Sequence, residues 1–271
     1  GDGEEVHVMR LLRPVAAGEE IFNTYGRHSN AHLLQMYGFS YPNNPCDRVE
    51  VGMAGLRAAL ALEGAAPRAI ALRVAWCKRE GLLPDVAGGV DASFALAPRG
   101  DLPARLLRIL GAIQLDDAAF DALAGDGASA GTHVGGLWGA LDAALVAAGA
   151  SGPASGCGGV EAGWEALATP QAARTLLRAV AMREGLYPVG ATIEQQAVEA
   201  EELVAAGPPG GCGWKRGHAL RVTCGERFIL RAAREGLERA LGVSKGGFAT
   251  AGAAVGVEEE GREEDLWDCF G

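Results

Sequence analysis

Residues 18–48 read GEEIFNTYGRHSNAHLLQMYGFSYPNNPCDR. Before them lies VHVMRLLRPV at 6–15, an apolar, partly β-branched run. With IFNTYG at 21–26 it predicts two short strands around a turn at Gly18. SNAHLLQMY at 29–37 predicts a short helix. Ser29 or Asn30 is its N-cap, and Leu33, Leu34 and Tyr37 follow at helical spacing. Gly38 ends that helix, and the cluster Tyr41-Pro42-Asn43-Asn44-Pro45 is a turn at a domain edge.

Beyond residue 52 the texture turns Ala-, Leu- and Arg-rich. Pro67 opens a helix through RAIALRVAWCKRE, with Gly81 at its exit, and Asp101 is expected to cap LPARLLRILGAI. Further helices are expected at 136–148, after Thr169-Pro170, after a Thr192/Gln195 capping box, and over 218–241 with an interruption tolerated at Gly225. ASFAL at 92–96 is the one extended stretch expected in this half. Stretches 125–136, 149–163 and 207–217 are rich in Gly, Ala, Ser and Pro and predict loop insertions between helices.

The composition narrows the function. Of 271 residues, 49% are apolar, and 24 Lys and Arg stand against 34 Asp and Glu, a formal net charge of -10. That balance argues against nucleic acid and anionic membranes as partners. No apolar run is long enough to span a bilayer. Residues 243–271 hold two basic residues against seven carboxylates and predict an acidic tail. The six cysteines form no C-x-x-C, and His7, His28, His32, His133 and His218 show no ligand spacing. Reduced thiols in an intracellular protein and no metal site are the expectations.

The segments Gly18-Glu19-Glu20-Ile21-Phe22, Tyr25-Gly26, Ser29-Asn30 and Tyr37-Gly38-Phe39 carry a more specific signal together than any carries alone. Their order resembles the C-terminal end of the SET domain in protein-lysine methyltransferases of the Rubisco large-subunit methyltransferase class. Residues 67–110 and 176–241 resemble the helical substrate-binding domain that follows it in that class. The resemblance implies methyl transfer from S-adenosyl-L-methionine to a lysine ε-amine of a non-histone protein. That reaction needs a neutral amine, which a dry channel beside a sulfonium favours by desolvation and like-charge repulsion. It also needs nucleophile, methyl and sulfur held in line. The resemblance assigns Tyr25 as the catalytic tyrosine, touching both cofactor and substrate amine. It makes Tyr37 a second, substrate-binding wall of the channel and Phe39 an aromatic against the cofactor. Glu19 and Glu20 read as surface turn charges, and Cys46 as a structural thiol.

Two departures stand beside these matches. The class builds its cofactor pocket mainly from an earlier Gly-x-Gly strand and an Asn-His pair upstream of the Tyr motif. Ahead of Tyr25 only the terminal Gly1-Asp2-Gly3 has the first wording, and no Asn-His dipeptide occurs anywhere. The expectation is a mainly α fold: 1–48 the last part of a SET domain, 52–242 a helical substrate-binding domain, 243–271 the tail. As an isolated chain it is expected to be inactive. The alternatives are a non-catalytic helical protein-binding module and a histidine-directed methyltransferase of the same class. IFNTYG resembles the nuclear branch of the class, whereas Asn43-Asn44-Pro45 with Asp47-Arg48-Val49 resembles the chloroplast and actin-directed branches.

Overall fold

The computed structural model describes residues 10–11, 13–83, 92–99, 102–127, 142–143, 169–188 and 190–243. The chain order is α1 (Asn30–Tyr37), β1 (Val49–Gly52), α2 (Met53–Leu62), α3 (Pro67–Arg79), β2 (Ser93–Leu96), α4 (Ala104–Gln114), α5 (Asp117–Gly127), α6 (Pro170–Glu184), α7 (Ile193–Ala206) and α8 (Cys212–Ala240). The architecture is mainly α, as expected, and no helix among the described residues is long and apolar enough to cross a membrane.

β1 and β2 pair antiparallel, with Val49 opposite Leu96 and Val51 opposite Phe94. These four side chains are buried on one face. On the other, Ser93 Oγ donates to Glu50 Oε2 at 2.9 Å. Alternation of β-branched and polar residues in Val49-Glu50-Val51 signals this strand, which the sequence reading passed over. α4 carries Leu106, Leu107, Ile109, Leu110 and Ile113 into the core, which also holds Leu176, Leu177 and Val180 of α6 and Ile229, Leu230 and Leu237 of α8. Arg73 of α3 ties the end of α4 to α5. Its Nη1 donates to the Ile113 and Leu115 carbonyls, its Nη2 to Asp117 Oδ1, and its guanidinium lies 4.7 Å from the Phe120 ring centroid. Arg73→Ala leaves those helix-end carbonyls without a donor. It should cost about 2 kcal/mol in urea denaturation.

The α7 capping box forms as expected. Thr192 Oγ1 accepts from Gln195 N at 3.1 Å, and Gln195 Oε1 accepts from Thr192 N at 2.9 Å. Thr192→Ala should lower stability by about 1 kcal/mol, read as a shift in the urea midpoint.

Four expectations change. Most of the first strand expected around Gly18, at 6–15, lies outside the described residues, and the second does not form: 13–28 are turn and irregular chain, with Ile21 and Phe22 exposed. A lone strand has no ladder partner, and among the described residues no other segment pairs with 21–26. Asp101 lies outside the described residues, and α4 starts instead from Pro103 in extended conformation at ψ 125°. The stretch 207–217 is only half a loop, because α8 begins at Cys212. The stretch 125–136 likewise begins inside α5, which runs to Gly127. The helix expected at 136–148 lies outside the described residues except at 142–143, which are helical. The 149–163 insertion and the 243–271 tail beyond residue 243 are also outside them.

Glycine explains the early start of α8. A Cβ on Gly217 would stand 2.7 Å from Val204 Cγ2 and 2.9 Å from the Ala200 carbonyl, so its absence is what lets α7 and α8 touch. The burial gained in that close contact offsets the low helix propensity that made 207–217 read as a loop.

Candidate functional site

The three residues singled out by resemblance come together. Ser29 Oγ accepts from His32 N at 3.3 Å and starts α1. Gly38 ends α1 at φ +80°, where its N–H bonds the Leu34 carbonyl. This left-handed stop folds Phe39 back beside Tyr37. Gly26, at φ +88°, turns the chain just after Tyr25. The ring centroids of Tyr25 and Tyr37 are 4.6 Å apart, those of Tyr25 and Phe39 5.2 Å, and those of Tyr37 and Phe39 6.4 Å. The tilted and edge-on geometries suit ring quadrupoles. Tyr25 and Tyr37 remain 52% and 48% exposed, so each has a face free for another molecule. His28 and His32 stack at 4.3 Å beside this cluster, with His32 6.5 Å from Tyr37. Among the described residues no group of three or more His, Cys, Asp or Glu could hold a metal ion.

A buried polar hub holds the aromatic segment. Asn30, 2% exposed, donates from its backbone N–H to Asp47 Oδ1 at 2.9 Å. Its side-chain Nδ2 donates to Asp47 Oδ2 and to the Tyr41 carbonyl, and its Oδ1 accepts from Tyr41 N at 3.1 Å and Asn44 Nδ2 at 3.3 Å. Asn44 in turn donates to the His28 carbonyl and accepts from the Tyr41 hydroxyl. Burial pushes the Asp47 carboxyl above the usual carboxylate range, against the lowering effect of the Asn30 bonds. Sequence reasoning took Ser29-Asn30 as a cap and 41–45 as a plain turn, so Asn30, Asn44 and Asp47 were not picked out. The signal available was their density: three Asn and an Asp within eighteen residues, in a segment with apolar residues to bury.

The hub docks on α8. Ser40 N–H donates to His218 Nδ1 at 2.9 Å, so that nitrogen carries no proton and the neutral ring holds its proton on Nε2. Arg221 Nη1 donates to the Ser40 carbonyl at 2.8 Å and makes a two-pronged pair with Glu201 at 2.9 and 2.7 Å. Asp47 rests against Gly225, where a Cβ would lie 2.6 Å from its Oδ2. Gly225, read from sequence as a tolerated interruption, is the notch that receives Asp47.

Burial, and then the nearby Arg221 charge, hold the His218 pKa below the ordinary histidine value of 6.5. The folded state therefore binds fewer protons at this ring than the unfolded chain does. The stability from the Ser40 anchor is full above pH 6.5 and is lost as pH falls toward the lowered folded value. Protonation at Nδ1 would also remove the acceptor for Ser40 N–H. Protection of the Ser40 amide should fall as pH drops below 6.5 in the wild type, and that pH dependence should be absent in His218→Gln.

Over part of its length the chain is homologous to protein-lysine N-methyltransferases. It is 47% identical over 58 residues to "N-lysine methyltransferase SETD6" of Rattus norvegicus and 45% identical over 58 residues to that of Homo sapiens. It is 52% identical over 42 residues to "Ribosomal lysine N-methyltransferase 3" of Saccharomyces cerevisiae. The rat and human matches each cover 21% of this chain, and the yeast match covers 16%. The chain spans 12% of the length of the rat and human relatives and 8% of the yeast one. No family model matches the chain. The resemblance to SET-domain lysine methyltransferases drawn from residues 18–48 thus agrees with the relatives found.

Proposed function

We propose that this chain supplies the tyrosine-bearing end of a SET-type catalytic domain and a helical substrate-binding lobe to an S-adenosyl-L-methionine-dependent protein-lysine N-methyltransferase acting on a non-histone protein. The observation that carries the reading is the meeting of Tyr25, Tyr37 and Phe39 around exposed ring faces at the end of α1. Such faces fit a sulfonium and a purine, by cation–π attraction and stacking. Polar partners for the amino-acid and ribose parts of the cofactor do not surround the rings among the described residues, so the fit covers one wall only.

When bound, S-adenosyl-L-methionine supplies an electrophilic methyl carbon. The chain's own part is to shape the lysine channel. Tyr25 and Tyr37 flank the alkyl stem and keep water from the amine, which lowers the lysine pKa by desolvation. The Tyr25 hydroxyl accepts a hydrogen bond from the neutral amine and aims its lone pair. Phe39 supports the Tyr25 ring edge-on, at 63° between planes.

Calorimetry with S-adenosyl-L-methionine tests the incomplete wall. This chain should give no binding, and micromolar binding would overturn its inactivity in isolation. In the complete enzyme, Tyr25→Phe should lower kcat by about 100-fold with substrate capture retained. Unchanged methylation would instead favour a non-catalytic helical binding module. That second reading has its own support: the core formed by α2, α3, α4, α6 and α8 contains no residue of the aromatic cluster.

A further inference from the structure

A second concave site lies away from the aromatic rings. A cleft of about 360 Å³ opens between the 42–47 turn, α7 and α8. Its charged groups are Asp47, Glu201 and Arg221, Asn30, Asn43 and Asn44 also line it, and its apolar wall includes Ala197, Phe228 and Ile229. Asp47 is 7% exposed and both its oxygens accept from Asn30, yet it forms no ion pair among the described residues, and the nearby Glu226 carboxylate adds to the cost of its charge. Arg221 does not neutralise it, because its guanidinium is taken up by Glu201 and the Ser40 carbonyl. The absent side chain at Gly225 leaves the Asp47 carboxylate room on the cleft floor.

A buried carboxylate costs solvation free energy that a cation at hydrogen-bond distance would offset. The wall beside it is apolar, so the occupant that fits is a charge on an alkyl stem. The cleft is larger than one such side chain, and the chain's net charge of -10 favours cationic partners. We propose that this cleft receives a lysine or arginine side chain of a partner protein, with the charged head at Asp47 and the stem along Phe228 and Ile229. The proposal does not depend on methyl transfer.

The test uses the full chain, arginine amide as probe and the uncharged citrulline amide as control, followed by backbone NMR. Arginine amide should shift the Asp47, Cys224 and Gly225 resonances with Kd in the low millimolar range, about what a ligand of this size reaches. Citrulline amide should bind at least tenfold more weakly. Asp47→Asn keeps one of the two acceptors that Asn30 uses and should weaken arginine amide by about tenfold. Phe228→Ala changes a partly exposed wall residue and should weaken it by several-fold while leaving the hub resonances in place. Equal shifts with both probes would overturn the proposal, as would binding unaffected by both variants. Larger shifts at the same resonances with calcium chloride would overturn it in favour of an inorganic cation.

Discussion

Asn30→Ala should lower the stability of the 29–47 segment by about 3–4 kcal/mol, a factor of several hundred in its folded population. The side chain fills four hydrogen-bonding roles at a site 2% exposed: two donors to Asp47 and Tyr41, and two acceptances from Tyr41 and Asn44. Alanine leaves the part-buried Tyr41 N–H and a buried Asp47 oxygen without those partners. Each orphaned group costs about 1–3 kcal/mol, and the hub fails as a unit because its members share acceptors. Hydrogen exchange should show loss of protection at Asn30, Tyr41 and Cys46, with amides in α4 and α6 unchanged. Uniform loss over the whole chain would mean the hub is part of the global folding unit. Unchanged protection at these three sites would refute the account of the hub.

Gly217→Ala should destabilise by about 2 kcal/mol, although alanine gains about 1 kcal/mol in helix propensity at this position. The new methyl would meet the Ala200 carbonyl at 2.9 Å and Leu203 Cβ at 3.0 Å, atoms of the facing helix that cannot swing aside. α7 and α8 must then separate along their shared contact. Gly213 is the internal control. A Cβ there meets only Leu203 Cδ2, at 3.7 Å, so Gly213→Ala should stabilise by about 0.5–1 kcal/mol. Urea midpoints moving in opposite directions for two glycines four residues apart would establish the contact. Midpoints that both rise would refute it.

Capping chemistry and hydrophobic period made much of the fold legible. Thr169 before Pro170, Thr192 with Gln195 and Pro67 all open the helices expected of them, and ASFAL is a strand. The Tyr25, Tyr37 and Phe39 cluster was legible through resemblance, and its contact depends on two left-handed glycines that the motif carries with it. What escaped was long-range. Nothing local marks that Asp47 needs Gly225, or that Ser40 needs His218 at 178 residues' separation. The strand expected at 21–26 failed for the opposite reason, since local β-propensity was present and no ladder partner stands beside it among the described residues.

α8 also has a geometric consequence. Its N-terminal half grips Ser40 and Asp47, while its C-terminal half is sunk in the core at Ile229, Leu230, Ala233 and Leu237. His218 and Leu237 are nineteen positions apart on one continuous helix, about 28 Å along its axis. The helix is a lever with its fulcrum in the core. A tilt of about 2° at Leu237 carries the Ser40 anchor about 1 Å. Repacking of the core would therefore be felt at the Ser40 anchor, far along the chain from the change itself.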